Sequence, residues 1–370
     1  MSSPTPRVGF VLEKALGHAT HADNLQRLIG PDDRIHSTFA PIEFDEDPRW
    51  SRVPGYGNWT VRAGLRARRA VRAMERQRPL DALFVHTQVP AMLMPDRLRR
   101  VPSVVSLDAT PMQYDELGAH YDHATGSDRA ERLKWRLHRS CFAGANMLVA
   151  WSEWAKAGLV DRYEVPADKI VVIPPGVDAA RWSANGPADE FRSDRPIRVL
   201  FVGADLERKG GFVLRDAIRR LRASGVAIEL DLVTRDQVPP EPGLTVHNGL
   251  TPNSPGLIAL YRKADVFCLP TLGDCLAMVL SEAGSIGLPL VATSVGGIGE
   301  LVVHEQTGLL VPPGDDVALA AALGRLAGDQ ALRRRLGDSA RRRIRTRFDA
   351  ATNAGRLVEL LVAVSREETA

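Results

Sequence analysis

The stretch Leu269–Gly314, LPTLGDCLAMVLSEAGSIGLPLVATSVGGIGELVVHEQTGLLVPPG, decides how the chain is read. Asp274 stands eight residues before Glu282. Leu276, Met278, Val279, Leu280 and Ala283 make the segment around them apolar. Gly287-Leu288-Pro289 then ends it, as a glycine past a helix C-terminus followed by proline does. The pattern predicts a loop carrying Asp274 and a short buried helix carrying Glu282. A strand at Pro289–Thr293 and a glycine-rich loop at Gly296-Gly297 follow. Eight residues of helix rise about 12 Å. The two acids can therefore touch opposite ends of one extended ligand, and are too far apart to share a proton or a metal.

A buried acid on an apolar helix needs a partner. In a purely structural role, Glu282 would pair with an arginine and Asp274 would cap the helix. The stretch as a whole resembles the E-x7-E donor-site motif of retaining GT-B glycosyltransferases of family 4. In that family the segment typically reads E-G-F-G-L-x-x-x-E-A-x-A-x-G-x-P-V-V-A, then G-G-x-x-E, then T-G-x-L-V-x-P-G-D. The chain matches at Glu282, Ala283, Gly287, Pro289, Val291, Gly296, Gly297, Glu300, Thr307, Gly308, Leu310, Val311, Pro313, Gly314 and Asp315. It departs at Asp274, which replaces Glu, at Cys275 and Ala277, which replace two glycines, and at Gly284.

Length and composition set the bounds. A chain of 370 residues suits two ordinary domains, each able to bury a core. Its 44% hydrophobic and 25% charged residues are those of a globular protein, and a net charge of +3 demands no nucleic-acid partner. Cys141, Cys268 and Cys275 are widely spaced, which argues against a disulfide framework or a zinc site and for a reducing compartment. The N-terminal MSSPTPRVGFVLEK lacks the features of a signal peptide, and no apolar run approaches the roughly 20 residues that span a bilayer. The expectation is a cytoplasmic protein, with peripheral contact at the inner membrane face left open.

Along the first half, apolar runs at Arg7–Glu13, Arg34–Ile42, Asp81–His86, Ser103–Leu107, Asn146–Trp151 and Lys169–Ile173 read as strands. Helical patterns between them make an α/β domain. The loop Leu16–His21 follows the first strand. In the family resemblance this loop touches the acceptor, so Gly17, His18 and His21 are candidate acceptor contacts. As residues alone, the histidines also fit a solvated loop, and their H-x-x-H spacing lacks a nearby third metal ligand. The helix Trp59–Gln77 and the residue after it carry seven arginines against one acid, Glu75. Such a face meets water, or could hold an anionic membrane surface. Asp108 follows the strand Ser103–Leu107, at the strand end where ligands bind in open α/β sheets. It either forms the turn before Thr110-Pro111 or stands where family members carry a histidine near the transferred sugar. Pro174-Pro175-Gly176-Val177-Asp178 resembles the family's hinge segment, and 179–196 reads as a linker.

The pattern then restarts. A strand at Arg198–Val202 is followed by Gly203-Ala204-Asp205-Leu206-Glu207-Arg208-Lys209-Gly210-Gly211 and a helix at Phe212–Arg222. A glycine-rich turn between strand and helix directs backbone N–H groups and the helix dipole at a phosphate. The resemblance assigns the donor diphosphate to this turn, with Ala204 here replacing the usual Arg and Arg208 standing beside Lys209. Strands at Ile228–Val233, Leu244–His247 and Val266–Leu269 lead to the opening stretch. Beyond it lie helices at Val317–Leu326, at the arginine-rich Arg333–Arg347, read as a solvated face, and at Phe348–Val364.

The resemblance implies a GT-B fold: two Rossmann-like α/β domains, 1–178 for the acceptor and 197–347 for the nucleotide sugar, facing across a cleft. A C-terminal segment, 348–370, crosses back to the first. It implies a metal-independent retaining transferase without cofactor, using a nucleotide diphosphate sugar, a UDP-sugar first and a GDP-sugar next, on an acceptor hydroxyl not named by the sequence. Asp274, Asp108 and Lys209 would be catalytic. Gly203, Arg208, Lys209, Leu276, Ala277, Met278 and Glu282 would bind the donor. The rival expectations are a nucleotide-sugar epimerase or phosphorylase of the same fold, or a non-catalytic, membrane-docked binding protein.

Overall fold

The computed structural model describes residues 4–15, 17–45, 58–118, 126–183 and 195–366. Leu16, the far part of the loop after Met112, and most of the expected linker lie outside these residues. Contacts divide the chain into two compact units. One comprises Met1–Asp115, Ala124–Pro175 and Ala350–Ala370, and the other Glu116–His123 and Gly176–Asp349.

The first unit holds a six-stranded sheet of β1 (Arg7–Glu13), β2 (His36–Ile42), β3 (Ala82–His86), β4 (Ser103–Leu107), β5 (Met147–Ala150) and β6 (Ile170–Val172), in the order β2-β1-β3-β4-β5-β6. Every pairing is parallel. A parallel sheet is covered on both faces, so its central strands β3, β4 and β5 are buried at nearly every position. Alternation divides their side chains between two cores. Val8, Phe10, Leu12, Phe84, Val104 and Val149 share one with Leu357, Val358 and Leu361 of the final helix, Ala350–Val364. Val11, Leu83, Val85, Val105, Leu107 and Leu148 share the other with the helices Trp59–Gln77, Asp128–Gly144 and Glu153–Tyr163. Each fully buried Leu, Val or Phe contributes about 1.5–3 kcal/mol.

The second unit repeats the scheme with β7 (Ile197–Val202), β8 (Ile228–Val233), β9 (Leu244–His247), β10 (Val266–Leu269), β11 (Leu290–Thr293) and β12 (Gly308–Val311), in the order β12-β11-β10-β7-β8-β9. All pairings are again parallel. In both sheets the order reverses beside the first strand of the unit, which is the topological signature of a doubly wound fold. Two such units are the two Rossmann-like domains that the resemblance implies. Within 179–196, the described part begins with a helix, Ala179–Ser183, whose Trp182 is fully buried against Tyr261.

Two arginine-rich helices differ from their sequence reading. In Trp59–Gln77, Arg62 is buried and donates to the Phe44 carbonyl, and Arg66 donates to those of Glu43 and Asp45. Arg68, Arg72 and Arg76 remain exposed. In Gln330–Arg347, three arginines turn inward to the carbonyl ends of other helices. Arg333 donates to Leu326 and Ala327, Arg341 to Ile286, and Arg343 to Glu300, the last at 2.8 Å. Helix C-termini leave carbonyls unsatisfied and carry partial negative charge, so a long guanidinium is a fitting cap. This face is only partly solvated.

Candidate active site

In the second unit, the turn after β7 and the loop after β10 are built against each other. Gly210 has φ +75°, and a Cβ there would lie 1.9 Å from the Pro270 carbonyl oxygen. Only glycine permits both that backbone and that approach. The Leu272 amide donates to the Arg208 carbonyl at 2.8 Å, and Thr271 Oγ1 donates to the same oxygen at 3.1 Å. Gly296 closes the loop from the other side: it has φ +54°, and a Cβ would meet the Asp274 carbonyl at 2.2 Å. The neighbouring Gly297 amide donates to the Cys275 carbonyl at 2.8 Å.

This framework brings Lys209 and Asp274 into an ion pair, with the side chains 17% and 10% exposed. Asp274 therefore does not cap the helix that follows. That helix, Met278–Ile286, starts at Ala277 with no side-chain cap. Its first amides keep the partial positive charge of an uncapped N-terminus. Leu276 and Ala277 are buried beside it and Met278 is half-buried. Gly203 follows β7, at the start of the turn. Arg208 is turned aside: its Nε donates to Asp205 at 3.1 Å and its Nη1 to the Gly273 carbonyl at 3.1 Å. Lys209 is thus the cation of this turn that faces the motif acid, while Arg208 braces the two loops.

Glu282 lies on the same helix, 6% exposed. Its partner is not an arginine. Tyr261, fully buried and stacked on Phe267, donates its hydroxyl to Glu282 Oε2 at 2.8 Å. Burial pushes the Glu282 carboxyl up to about 7, and the Tyr261 hydrogen bond pulls against that rise.

In the first unit, the C-terminal ends of four adjacent strands converge. Glu13 ends β1, His86 ends β3, Asp108 follows β4 and Trp151 follows β5. Gly17 is exposed, and His18 and His21 lie within the helix His18–Ile29, not in a solvated loop. Their rings pack on the Trp151 indole at 5.1 and 4.9 Å, with His86 at 5.5 Å. His18 Nδ1 lies 3.2 Å from His86 Nε2, and His18 Nε2 lies 3.5 Å from Asp108 Oδ2. Tyr114 donates to Asp108 Oδ2 at 3.0 Å, Thr87 to Glu13 Oε2 at 2.6 Å, and Trp151 Nε1 to Ser106 Oγ at 2.9 Å. Burial lowers His21 to about 3 and His86 well below its ordinary value, so both are neutral at pH 7. Burial raises Glu13.

The structure thus gathers Lys209, Asp274, Leu276, Ala277, Met278 and Glu282 in one unit, and His18, His21 and Asp108 in the other. Sequence reasoning passed over Glu13, His86, Trp151 and Tyr261. The first three end or follow apolar strands, as Asp108 does, and the same rule applied to every strand finds them. Tyr261, in the helix Pro255–Lys263, reads only as a core aromatic.

Among the described residues, no helix is long and apolar enough to cross a membrane, and no group of three or more His, Cys, Asp or Glu could hold a metal ion. A family model described as "Glycosyltransferase Family 4" matches residues 28–181, and one described as "Glycosyl transferases group 1" matches residues 196–329. A glycogen synthase of Mycobacterium tuberculosis is 27% identical over 337 residues, covering 86% of this chain and 76% of that protein. A D-inositol 3-phosphate glycosyltransferase of Salinispora tropica is 32% identical over 231 residues, covering 55% of this chain and about half, 48%, of its own length. Among solved structures, a sucrose-phosphate synthase from Thermosynechococcus elongatus superposes with a TM-score of 0.72 at 19% identity, over 96% of this chain and 98% of that one. Anabaena HepE in complex with UDP and glucose gives 0.68 at 16%, over 96% and 99%. Both halves match glycosyltransferase families and both sheets superpose on GT-B enzymes, so the chain belongs to the group 1, family 4 glycosyltransferases.

Proposed function

We propose that the protein moves a sugar from a nucleotide diphosphate sugar, a UDP-sugar ahead of a GDP-sugar, to an acceptor hydroxyl with retention of configuration. The observation that carries this reading is the placement of Lys209 against Asp274 beside an uncapped helix N-terminus, with Glu282 on the same helix. An ammonium and free amides are what a departing diphosphate needs, because its charge develops as the glycosidic bond breaks. Lys209 would exchange its contact with Asp274 for that diphosphate. Asp274 would then hold sugar hydroxyls, and Glu282 would accept from the ribose hydroxyls. The amides near Ala277 and Met278 would complete the phosphate contacts, with no resident metal or cofactor. Arg208 acts through the loop it braces. In the first unit, His18 and Asp108 would meet the acceptor, with His21 behind them. The names of the relatives offer two acceptor types, a glucan and a cyclitol phosphate. The reading places the protein in the cytoplasm, with Arg68, Arg72 and Arg76 available to an anionic surface.

The test is a thermal-shift panel of free nucleoside diphosphates on the wild type, Glu282→Ala and Lys209→Ala. A nucleotide at 100 times its dissociation constant should add about 2.7 kcal/mol. The expected result is a shift with one base, strongest for UDP and lost in Glu282→Ala. Lys209→Ala should also lose about 10²–10³ in turnover, the range for removing one transition-state charge contact. Absence of a shift with every nucleotide would overturn the reading.

A further inference from the structure

The cluster in the first unit has a charge balance that limits what it can hold. His18 and Asp108 form its solvent-reaching edge, with side chains 13% and 9% exposed. Behind them, His86 and Trp151 are buried and His21 is nearly so. Nδ1 of His21, Nδ1 of His86 and Oε1 of Gln88 are buried there without a hydrogen-bond partner. Buried polar groups are ordinarily paired. This layer therefore has hydrogen-bonding capacity to offer and no charge to go with it. Among the described residues, the side chains that act electrostatically on the Glu13 carboxyl are His18, which lowers it, and Asp108, which raises it, and no lysine or arginine is among them. Lys14, next along the chain, is paired with Asp23. Sites that hold phosphate or carboxylate groups supply guanidinium or ammonium donors. Here the described residues supply carboxylates, a side-chain carbonyl and imidazoles.

We propose that the acceptor is a polyol without negative charge, a sugar or cyclitol in which a hydroxyl, or an amine in its place, donates to Asp108 beside the His18 ring. This rests on the reading that the first unit holds the acceptor, and it narrows that reading. Of the two acceptor types offered by the relatives, it excludes the phosphorylated one. An anionic substituent at this edge would lie against Asp108 and the Glu13 carboxyl behind it, and among the described residues no lysine or arginine pairs with either. A hydroxyl or ammonium group satisfies the Asp108 carboxylate, and Tyr114 already holds one of its oxygens in place.

The experiment measures acceptor-stimulated release of nucleoside diphosphate by the full chain, with the donor chosen from the nucleotide panel. The probes are myo-inositol against myo-inositol 3-phosphate, glucose against glucose 6-phosphate, and glucosamine as the amine-bearing member. The expected result is that the uncharged or amine-bearing member of a pair is used at least about tenfold better in kcat/KM, a margin of about 1.4 kcal/mol. Asp108→Asn should narrow that margin by admitting the phosphorylated member. Equal use of both members, or preference for the phosphate, would overturn the proposal, as would a margin unchanged in Asp108→Asn. Silence with all five probes while a nucleotide still shifts the melting temperature would overturn it as well. That outcome is distinct from failure of the transferase reading, in which the nucleotide shift itself is missing.

Discussion

At the scale of single residues, Glu282 is the group through which pH would reach the proposed donor site. Its carboxyl titrates near 4.5 in an open chain and near 7 in the fold. The folded state therefore keeps the proton between those values, and the stability this group lends is lost as pH rises through 7. The ionised form accepts from ribose hydroxyls more strongly than the protonated one, so nucleotide affinity should improve as pH rises through about 7. Tyr261→Phe removes the hydrogen bond that pulls this carboxyl down, so the midpoint of the affinity profile should move upward. Nucleotide titrations between pH 5.5 and 8.5, at roughly half-unit steps around the Glu282 midpoint, would measure it. An unmoved midpoint would remove Tyr261 from the account. Asp274 and Glu282 were legible in sequence because one motif carries both and fixes their spacing. Tyr261 was not, since its contact with Glu282 crosses two elements, and an aromatic on an amphipathic helix looks like any core residue. The orientation of Arg208 was not legible for a related reason. A basic residue in a phosphate-type turn says nothing of its rotamer, which Asp205 and the Gly273 carbonyl decide.

At the scale of elements, the geometry of the proposed donor site depends on two loops whose close approach needs glycine. Gly210→Ala would place a methyl group on the Pro270 carbonyl and force a left-handed alanine. The expected cost is on the order of 3 kcal/mol in unfolding free energy, strain and overlap together. Gly225 supplies the control. It too has positive φ, +86°, but nothing lies within 4 Å of an added Cβ, so Gly225→Ala should cost only about 1 kcal/mol. Denaturant midpoints of the two variants separate overlap from strain, and equal losses would refute the packing argument. Strands were the most legible elements, because a parallel sheet covered on both faces leaves continuous apolar runs. Helix faces were the least legible. Arg333, Arg341 and Arg343 stand in an arginine run that reads as solvated, yet each closes the carbonyl end of a different helix. Sequence periodicity records which side of a helix is apolar, but a guanidinium on a long stem serves either side.

At the scale of the whole molecule, the final helix belongs to the first unit, and its burial there is a stability statement. Leu357→Ala removes a buried side chain from the core that also contains Phe10, Phe84 and Val104. The expected loss is about 2–5 kcal/mol, depending on how far the core relaxes. It should be confined to the first unit, so a nucleotide-induced shift from the second unit should survive where the protein remains folded. Loss of that shift in Leu357→Ala, with the second unit still melting at its own temperature, would contradict this division. The same arrangement orders events during synthesis. The ribosome delivers the six strands of the first sheet early, with the helix His18–Ile29 on one face, but the helix that completes the cover of that face emerges only after the entire second unit. The unit begun first is therefore completed last. Until then Val8, Phe10 and Phe84 belong to a core covered from one side only by Ala22, Leu25 and Ile29, a face that a chaperone can hold, and a chain cut off before Ala350 keeps it incompletely covered.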